Sequence, residues 1–527
     1  MADHRDPGAQ AALVIGPEME SFQIPGGITY PRTPPPFSLA RDELAERAHA
    51  DECAVEATVR RGLARLRAGD PVLYELIARE HRRQAETLVM VAASSIADPA
   101  VLACEGTALL NTTTEGYPGA RFHAGCAVVD AVERIAVERA RHAFGARYAN
   151  VQPHSGTSAN QIVMFSLLRP GDTVLGLDLD AGGHLSHGSR ASVSGVYFHA
   201  VAYGVDAGGR IDMDEVRRLA LAHRPRLLIA GASAYPRVVD FRAFRAVADE
   251  VGAYLLADIS HIAGLVAAGE HPSPIDHAHF TTTSTYKQLC GPRGGLVLMG
   301  RDHDAPAPDG RGTLADLVQR AAFPFFQGTP DLASVAAKAS ALARAASPEF
   351  RETARRIRSS AAALAAALEA RGHTLVSGGT DNHMVLVDVS ARGLTGVVAE
   401  RALEECGIVV NKNRIPGDRH GARVTSGVRF GTNGLALRGM GPAEMPECAE
   451  LVDRVLSAVR PLGPRSYTLD PGAAAAVRRE VSALCARFPL PGYSAGPEEQ
   501  GTAGPLPRSV RAALPIDPFA MPEEEAR

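Results

Sequence analysis

At 527 residues the chain is too long for one compact core, so two or three domains are expected. Its 46% hydrophobic and 22% charged residues suit a globular enzyme, and a formal net charge of −4 offers no footprint for nucleic acid or an anionic membrane. The seven cysteines are odd in number, scattered and without a CxxC pair, which argues against a disulfide frame or a zinc site and for a reducing compartment. Residues 1–7 lack the basic region and apolar core of a signal peptide, and no run of about 18 apolar residues exists. The expectation is a cytoplasmic protein that neither binds nor crosses a membrane.

In chain order, residues 1–37 carry Pro31, Pro34, Pro35, Pro36 and several glycines, and read as a disordered arm. An Ala/Arg/Glu-rich stretch over 38–69, with Ser38 a candidate N-cap, predicts a helical extension. Between 70 and 348 helical patterns alternate with apolar runs at 174–177, 227–230, 253–257 and 295–299, each short enough to be a strand buried on both faces. That alternation predicts a large α/β domain with a mostly parallel sheet. A long Ala-rich helix then leads to short strands near 384–388, 408–410 and 428–431 and a last helix over 471–488. These make a smaller C-terminal α+β domain spanning 349–490. Pro, Gly and Glu dominate 491–527, which reads as a disordered tail ending in the acidic run Pro522-Glu523-Glu524-Glu525.

The most telling stretch is Thr281-Thr282-Thr283-Ser284-Thr285-Tyr286-Lys287-Gln288-Leu289-Cys290-Gly291-Pro292-Arg293-Gly294-Gly295. It sets one lysine between a hydroxyl-rich, β-prone strand and a glycine-rich turn. A lysine held there can point its amine into a pocket, as the aldehyde of pyridoxal phosphate requires. Alone, the run reads as readily as a solvated surface lysine. The cofactor also needs an acid for its pyridine nitrogen, a flat group against its ring and donors for its phosphate. Asp258 closes an apolar run and can deliver the acid at a sheet edge, or merely cap a helix. Ser155-Gly156-Thr157 precede an apolar helical stretch and can cup a phosphate, or simply cap that helix. His184, in Gly182-Gly183-His184-Leu185, can stack on a ring or serve as a polar turn residue. Arg429 suits a bidentate clamp on an α-carboxylate, or a salt bridge between domains.

Together and in this order, these residues resemble the serine hydroxymethyltransferase family of fold-type I pyridoxal phosphate enzymes. The resemblance runs from about 70 to 489. It rests on long motifs: Glu115-Gly116-Tyr117-Pro118-Gly119, Ala149-Asn150-Val151-Gln152-Pro153-His154-Ser155-Gly156, Ala232-Ser233-Ala234-Tyr235, His261-Ile262-Ala263-Gly264-Leu265-Val266-Ala267-Ala268-Gly269 and Ser377-Gly378-Gly379-Thr380-Asp381-Asn382-His383. It implies an α/β, aspartate aminotransferase-like fold and pyridoxal 5'-phosphate as cofactor. By position it assigns Lys287 to the aldehyde, Asp258 to the pyridine nitrogen and His184 to the ring face. Ser233 and His261 fall near the phenolic oxygen, and Ser155, Gly156 and Thr157 at the phosphate, with Gly328 and Thr329 also beside the cofactor. Arg429 takes the substrate carboxylate. Glu115 is the acid/base, supplied by a partner subunit in a homodimer or homotetramer with shared sites.

The departures from the family pattern lie around the substrate. Thr113 and Phe122-His123 stand where the family has tyrosines, Ala93 where it has a serine, and Tyr286 where it has a histidine. Phe323-Pro324-Phe325-Phe326-Gln327-Gly328-Thr329-Pro330 reshapes a glycine-rich loop. Leu185 and Asn413 persist on the folate side, so tetrahydrofolate use stays open. The chemistry implied is reversible cleavage of Cα–Cβ in a β-hydroxy-α-amino acid, on small-molecule substrates. The first reading is a transaldolase that moves the glycyl unit of L-threonine onto another aldehyde in specialised metabolism. The alternative is a tetrahydrofolate-dependent serine or α-methylserine hydroxymethyltransferase. A third, a binding or regulatory protein on the same fold, is opposed by the joint presence of Lys287, Asp258 and Arg429.

Overall fold

The computed structural model describes residues 41–493 and two short strands before them, 21–24 and 28–31. Those strands pair antiparallel, so part of the expected arm carries a hairpin. The rest of the arm, Ser38 and the tail beyond 493 lie outside the described residues. The helical extension is present as α1 (Arg41–Gly69) and continues into α2 (Pro71–Glu86), where the Asp70 carboxylate accepts from Leu73 N at 3.0 Å.

The large domain is built on a seven-stranded sheet. Helix α3 (Ala127–Phe144) leads to β1 (Tyr148–Asn150), α4 (Gly156–Leu167) and β2 (Thr173–Leu177). Then come β3 (His199–Tyr203), β4 (Leu227–Gly231), β5 (Tyr254–Asp258), β6 (Phe280–Ser284) and β7 (Gly295–Met299). The spatial order is β1-β7-β6-β5-β4-β2-β3. Strands β3, β2, β4, β5 and β6 run parallel, while β7 is antiparallel to both of its neighbours. Apolar clusters cover both faces, which is why the central strands read as unbroken apolar runs. The exception is β6, whose threonines are buried yet polar. Thr282 Oγ1 donates to Asn160 Oδ1 at 2.5 Å and Thr283 Oγ1 to the Ser284 carbonyl at 2.8 Å. Two strands escaped the sequence pattern: β1 has only three residues, and β3 is an edge strand with a largely exposed face.

Helix α5 (Leu332–Ala345) packs on α3, and α6 (Pro348–Glu369) leads into the small domain. There β8 (Thr374–Leu375), β9 (Met384–Asp388), β10 (Asn411–Asn413) and β11 (Gly427–Gly431) form an antiparallel sheet in the order β8-β9-β11-β10. Helices α7 (Met445–Ala458) and α8 (Pro471–Arg487) share its core. The packing divides the chain elsewhere than the expected boundary at residue 70. Leu88 and Met90 sit in the small-domain core, and 88–89 pair in parallel with 408–409. Arg438 fixes this arrangement by donating to the carbonyls of Gln84, Ala85 and Thr87. So short an apolar run carries no period that would have assigned it to either domain. The two domains meet through Arg237–Asp381 at 2.9 Å and Asn382 Nδ2 to the Tyr235 carbonyl at 2.9 Å.

Candidate active site

The carboxyl ends of the parallel strands bring side chains from five loops into a cavity of about 160 Å³. Ser155, Gly156 and Thr157 line one side, His184, Ser233, Asp258 and His261 another, and Tyr286 and Lys287 a third. Lys287 leaves the end of β6 through a tight turn, in which Cys290 N donates to the Lys287 carbonyl and Gly291 N to that of Thr285, each at 2.9 Å. The residue is 6% exposed. Burial, reinforced by Arg429 and Arg293 and opposed by Asp258, lowers its pKa from 10.5 to about 8. A substantial share of the amine is therefore neutral and nucleophilic near pH 8.

Asp258 ends β5 and is the most heavily bonded group of the site. Oδ2 accepts from Asn160 Nδ2 at 2.7 Å and lies 2.9 Å from His187 Nε2, while Oδ1 accepts from Ser260 N at 2.9 Å. Burial alone would raise its pKa. The bond to His187, the charge that His187 and His184 carry when protonated, and a bond from the Ser260 side chain outweigh that and hold the carboxyl well below the usual carboxylate range. The network extends further, as Asn160 donates to Ser186 Oγ at 3.0 Å, and that hydroxyl lies 2.7 Å from His184 Nδ1. Ser186 N also donates to His184 Nδ1 at 3.2 Å, which places the ring proton on Nε2. Burial, with His187 and Lys287 nearby, lowers the His184 pKa to about 4, so the ring is neutral at working pH. Burial likewise pushes His261 well below its ordinary value, and its ring stacks on His383 with centroids 5.7 Å apart. His184, His187 and Asp258 bring potential metal donors within 4.8 Å of one another, but these atoms are already bonded to each other and to Ser186.

Helix α4 begins at the cavity wall. Ser155 caps it by accepting from Ser158 N at 3.0 Å, leaving early N–H groups for an anion. Gly156 allows the close approach: a Cβ there would lie 3.1 Å from Ser284 Cβ. On the opposite wall the Arg293 guanidinium stacks 3.8 Å from the Tyr286 ring. Arg429, 8% exposed, stands behind Ser233 rather than on the cavity wall. It donates from Nε to Asn411 Oδ1 at 3.1 Å and from Nη1 to the Ser233 carbonyl, and burial lowers its pKa to about 10. Ala93 is half-buried beside Ala92, which packs against Gly431 of β11.

Not every expected residue joins this group. Glu115 and His123 lie together, Oε2 to Nε2 at 3.5 Å, with side chains 40% and 46% exposed, and neither lines the cavity. Gly328 accompanies them, its Cβ direction ending 3.5 Å from Glu115 Oε1. Thr329 does not line the cavity either, and its carbonyl lies 3.3 Å from His154 Nε2. Sequence reasoning also missed contributors. Ser260, Ser284, Arg293 and Gly294 line the cavity, and Asn160, Ser186 and His187 brace its acid. Ser284 and Arg293 were in the run already singled out, and the three-residue spacing of His187 from His184 was a usable signal.

The comparisons match this geometry. The sequence profile described as serine hydroxymethyltransferase fits residues 66–452. The chain is 49% identical to serine hydroxymethyltransferase 1 of Bordetella parapertussis over 427 residues, covering 81% of this chain and 96% of the relative. It is 48% identical to serine hydroxymethyltransferase of Synechococcus sp. over 446 residues, covering 82% and 98%. The chain belongs to the serine hydroxymethyltransferase family. It is accordingly a fold-type I pyridoxal phosphate enzyme of the aldol-transferase type, in a family for which tetrahydrofolate is the co-substrate. The cavity fits the family's cofactor: Ser284 Oγ and His261 Nδ1 are buried there without partners among the described residues, beside a low-pKa lysine, an ionised aspartate and a helix start. Among the described residues no helix is long and apolar enough to cross a membrane.

Proposed function

We propose that the chain is a tetrahydrofolate-dependent hydroxymethyltransferase acting on serine or α-methylserine. Identity of 49% to a serine hydroxymethyltransferase, over nearly the whole of that relative, carries this reading. It favours the alternative above over the threonine transaldolase expected first. The transaldolase remains the second reading because Thr113, His123, Ala93, Tyr286 and Phe325 alter the surroundings of the substrate.

Lys287, with its depressed pKa, would hold the cofactor through its aldehyde and supply a neutral amine that yields its place there to the substrate amine. Pyridoxal phosphate, when bound, supplies the electron sink for the bond that breaks at Cα. Asp258, kept ionised by His187, holds the proton on the pyridine nitrogen, and neutral His184 packs the ring face. Ser155, Gly156 and Thr157 take the phosphate at the start of α4, while Ser233 and His261 serve the phenolic oxygen. Arg429, behind Ser233, is the guanidinium that would take the α-carboxylate. Glu115 removes the β-hydroxyl proton. In this reading Glu115, His123 and Gly328 serve the cavity of a second copy in a homodimer or homotetramer, which their absence from the lining of the Lys287 cavity in one chain supports. The test is product analysis with purified holoenzyme. L-serine and α-methyl-L-serine are each supplied with and without tetrahydrofolate, beside L-threonine. Folate-dependent loss of either serine supports the reading, whereas rapid acetaldehyde release from threonine with no folate-dependent serine cleavage replaces it with the transaldolase.

A further inference from the structure

A second lysine lies under the same cavity and has no part in the scheme above. Lys338 sits on α5, is 2% exposed, and reads in sequence as an ordinary cation in an Ala-rich helix. Its Nζ donates to the Val151 carbonyl at 2.7 Å and to the Pro153 carbonyl at 3.0 Å. The intervening peptide is held too, since Gln327 Nε2 donates to the Gln152 carbonyl at 3.0 Å and Gln327 Oε1 accepts from His154 N at 3.1 Å. Three successive carbonyls are thus each held by a side-chain donor just before the chain enters α4 at Ser155. The lysine stem runs beneath Gly294, where a Cβ would fall 2.2 Å from Lys338 Cε. From the same helix, Ser334 Oγ donates to the Arg293 carbonyl at 3.0 Å. Helix α5 therefore grips both loops that close the cavity at its phosphate end.

We propose that Lys338 is a positioning residue for the cofactor phosphate. By clamping the Val151 and Pro153 carbonyls it fixes the peptide planes that lead into Ser155–Thr157, and it sets a positive charge behind the N–H groups that receive the anion. A fully buried ammonium is costly without compensation. Here two carbonyls bond it, and Asp331, Glu133 and Glu105 favour its charge without bonding to it, while burial draws its pKa down to about 7. Glu133 is itself engaged by Arg121 at 2.5 Å and Gln152 at 2.8 Å, and Asp331 caps α5 through Ser334 N at 3.1 Å. The lysine, with Gln152, thus joins this charge cluster to the phosphate loop. The inference rests on cofactor binding in this cavity and not on which amino acid is cleaved.

The test separates phosphate recognition from general folding. Full-length apoprotein is titrated with pyridoxal phosphate and with pyridoxal, which lacks the phosphate, following the visible absorbance of the lysine-bound cofactor. Lys338→Met keeps the stem and removes the donors. It is expected to weaken pyridoxal phosphate by roughly tenfold or more, equivalent to about 1.4 kcal/mol, while leaving pyridoxal within about twofold of wild type. Lys338→Gln, retaining one donor, should fall between. Equal losses for both ligands, or none for either, would overturn the proposal. So would failure of both variants to give folded apoprotein, because the lysine would then serve the fold alone. If the wild-type protein captures neither ligand, the cofactor reading itself fails and not only the role of Lys338.

Discussion

Lys287 and Asp258 are buried, 6% and 8% exposed, and Asp258 is bonded by Asn160, His187 and Ser260 of its own chain, whereas the Glu115 and His123 side chains lie against each other and remain 40% and 46% exposed. The buried region carries the part of the chemistry that any Cα–Cβ cleavage on this cofactor shares, and its motif residues match the family pattern closely. The exposed region, which the proposed function assigns to the substrate's substituent, is where the chain departs at Thr113, Phe122 and His123, while Tyr286 departs on the cavity wall itself. A dense hydrogen-bond network resists change because removing one member strands the others in a low-dielectric interior. Groups at an open surface can be exchanged with little loss of stability, and that is where specificity can vary.

The comparison breaks most sharply at its two centres. Lys287→Ala should abolish both the visible absorbance of bound cofactor and the activity. Glu115→Gln should keep the absorbance while kcat falls by about 10²- to 10⁴-fold, as removal of a general acid/base predicts. Absorbance lost in both variants would mean that the two regions are not separable. A pH series sharpens the buried side. The Lys287 pKa is lowered to about 8, so the neutral amine becomes scarcer as pH falls below that value. Cofactor capture by the apoprotein should slow by about tenfold per pH unit below 8 and level off above it. A tenfold rise per unit that continues through pH 9 would place the lysine in a more open setting than this, and a flat profile between pH 6 and 9 would mean an amine already neutral across that range. The smallest effect belongs to the exposed side: His123→Tyr, which restores the family's phenol, should raise serine cleavage relative to threonine cleavage by roughly tenfold with cofactor affinity unchanged. Unchanged substrate preference would remove His123 from the specificity argument.

Much of the buried region was legible in the sequence because its parts lie in local runs. Lys287 falls between a strand and a Gly-rich turn, Asp258 ends an apolar run, and Ser155 opens a helix, and each placement follows from the period of its own element. What was not legible joins residues far apart in the chain. Asn160 meets Asp258 across 98 positions, and Lys338 reaches the Pro153 carbonyl across 185. No local pattern marks such pairs, and both residues have commonplace readings as helix polar groups. The boundary at residue 70 failed for the same reason: Leu88 and Met90 join a core whose other members lie some three hundred positions on. For the exposed region the letters showed what had changed but not what it faces, since one chain leaves those side chains open.

The division of the site between two copies is the central claim, and mixing inactive variants tests it directly. Lys287→Ala and Glu115→Gln proteins, each inactive alone, are unfolded and refolded together with cofactor. If Glu115 of one copy serves the Lys287 cavity of another, mixed dimers hold one intact site, and about a quarter of wild-type activity should return under random pairing. No recovery, with mixed dimers shown to form, would mean that each chain completes its own site and would contradict the account.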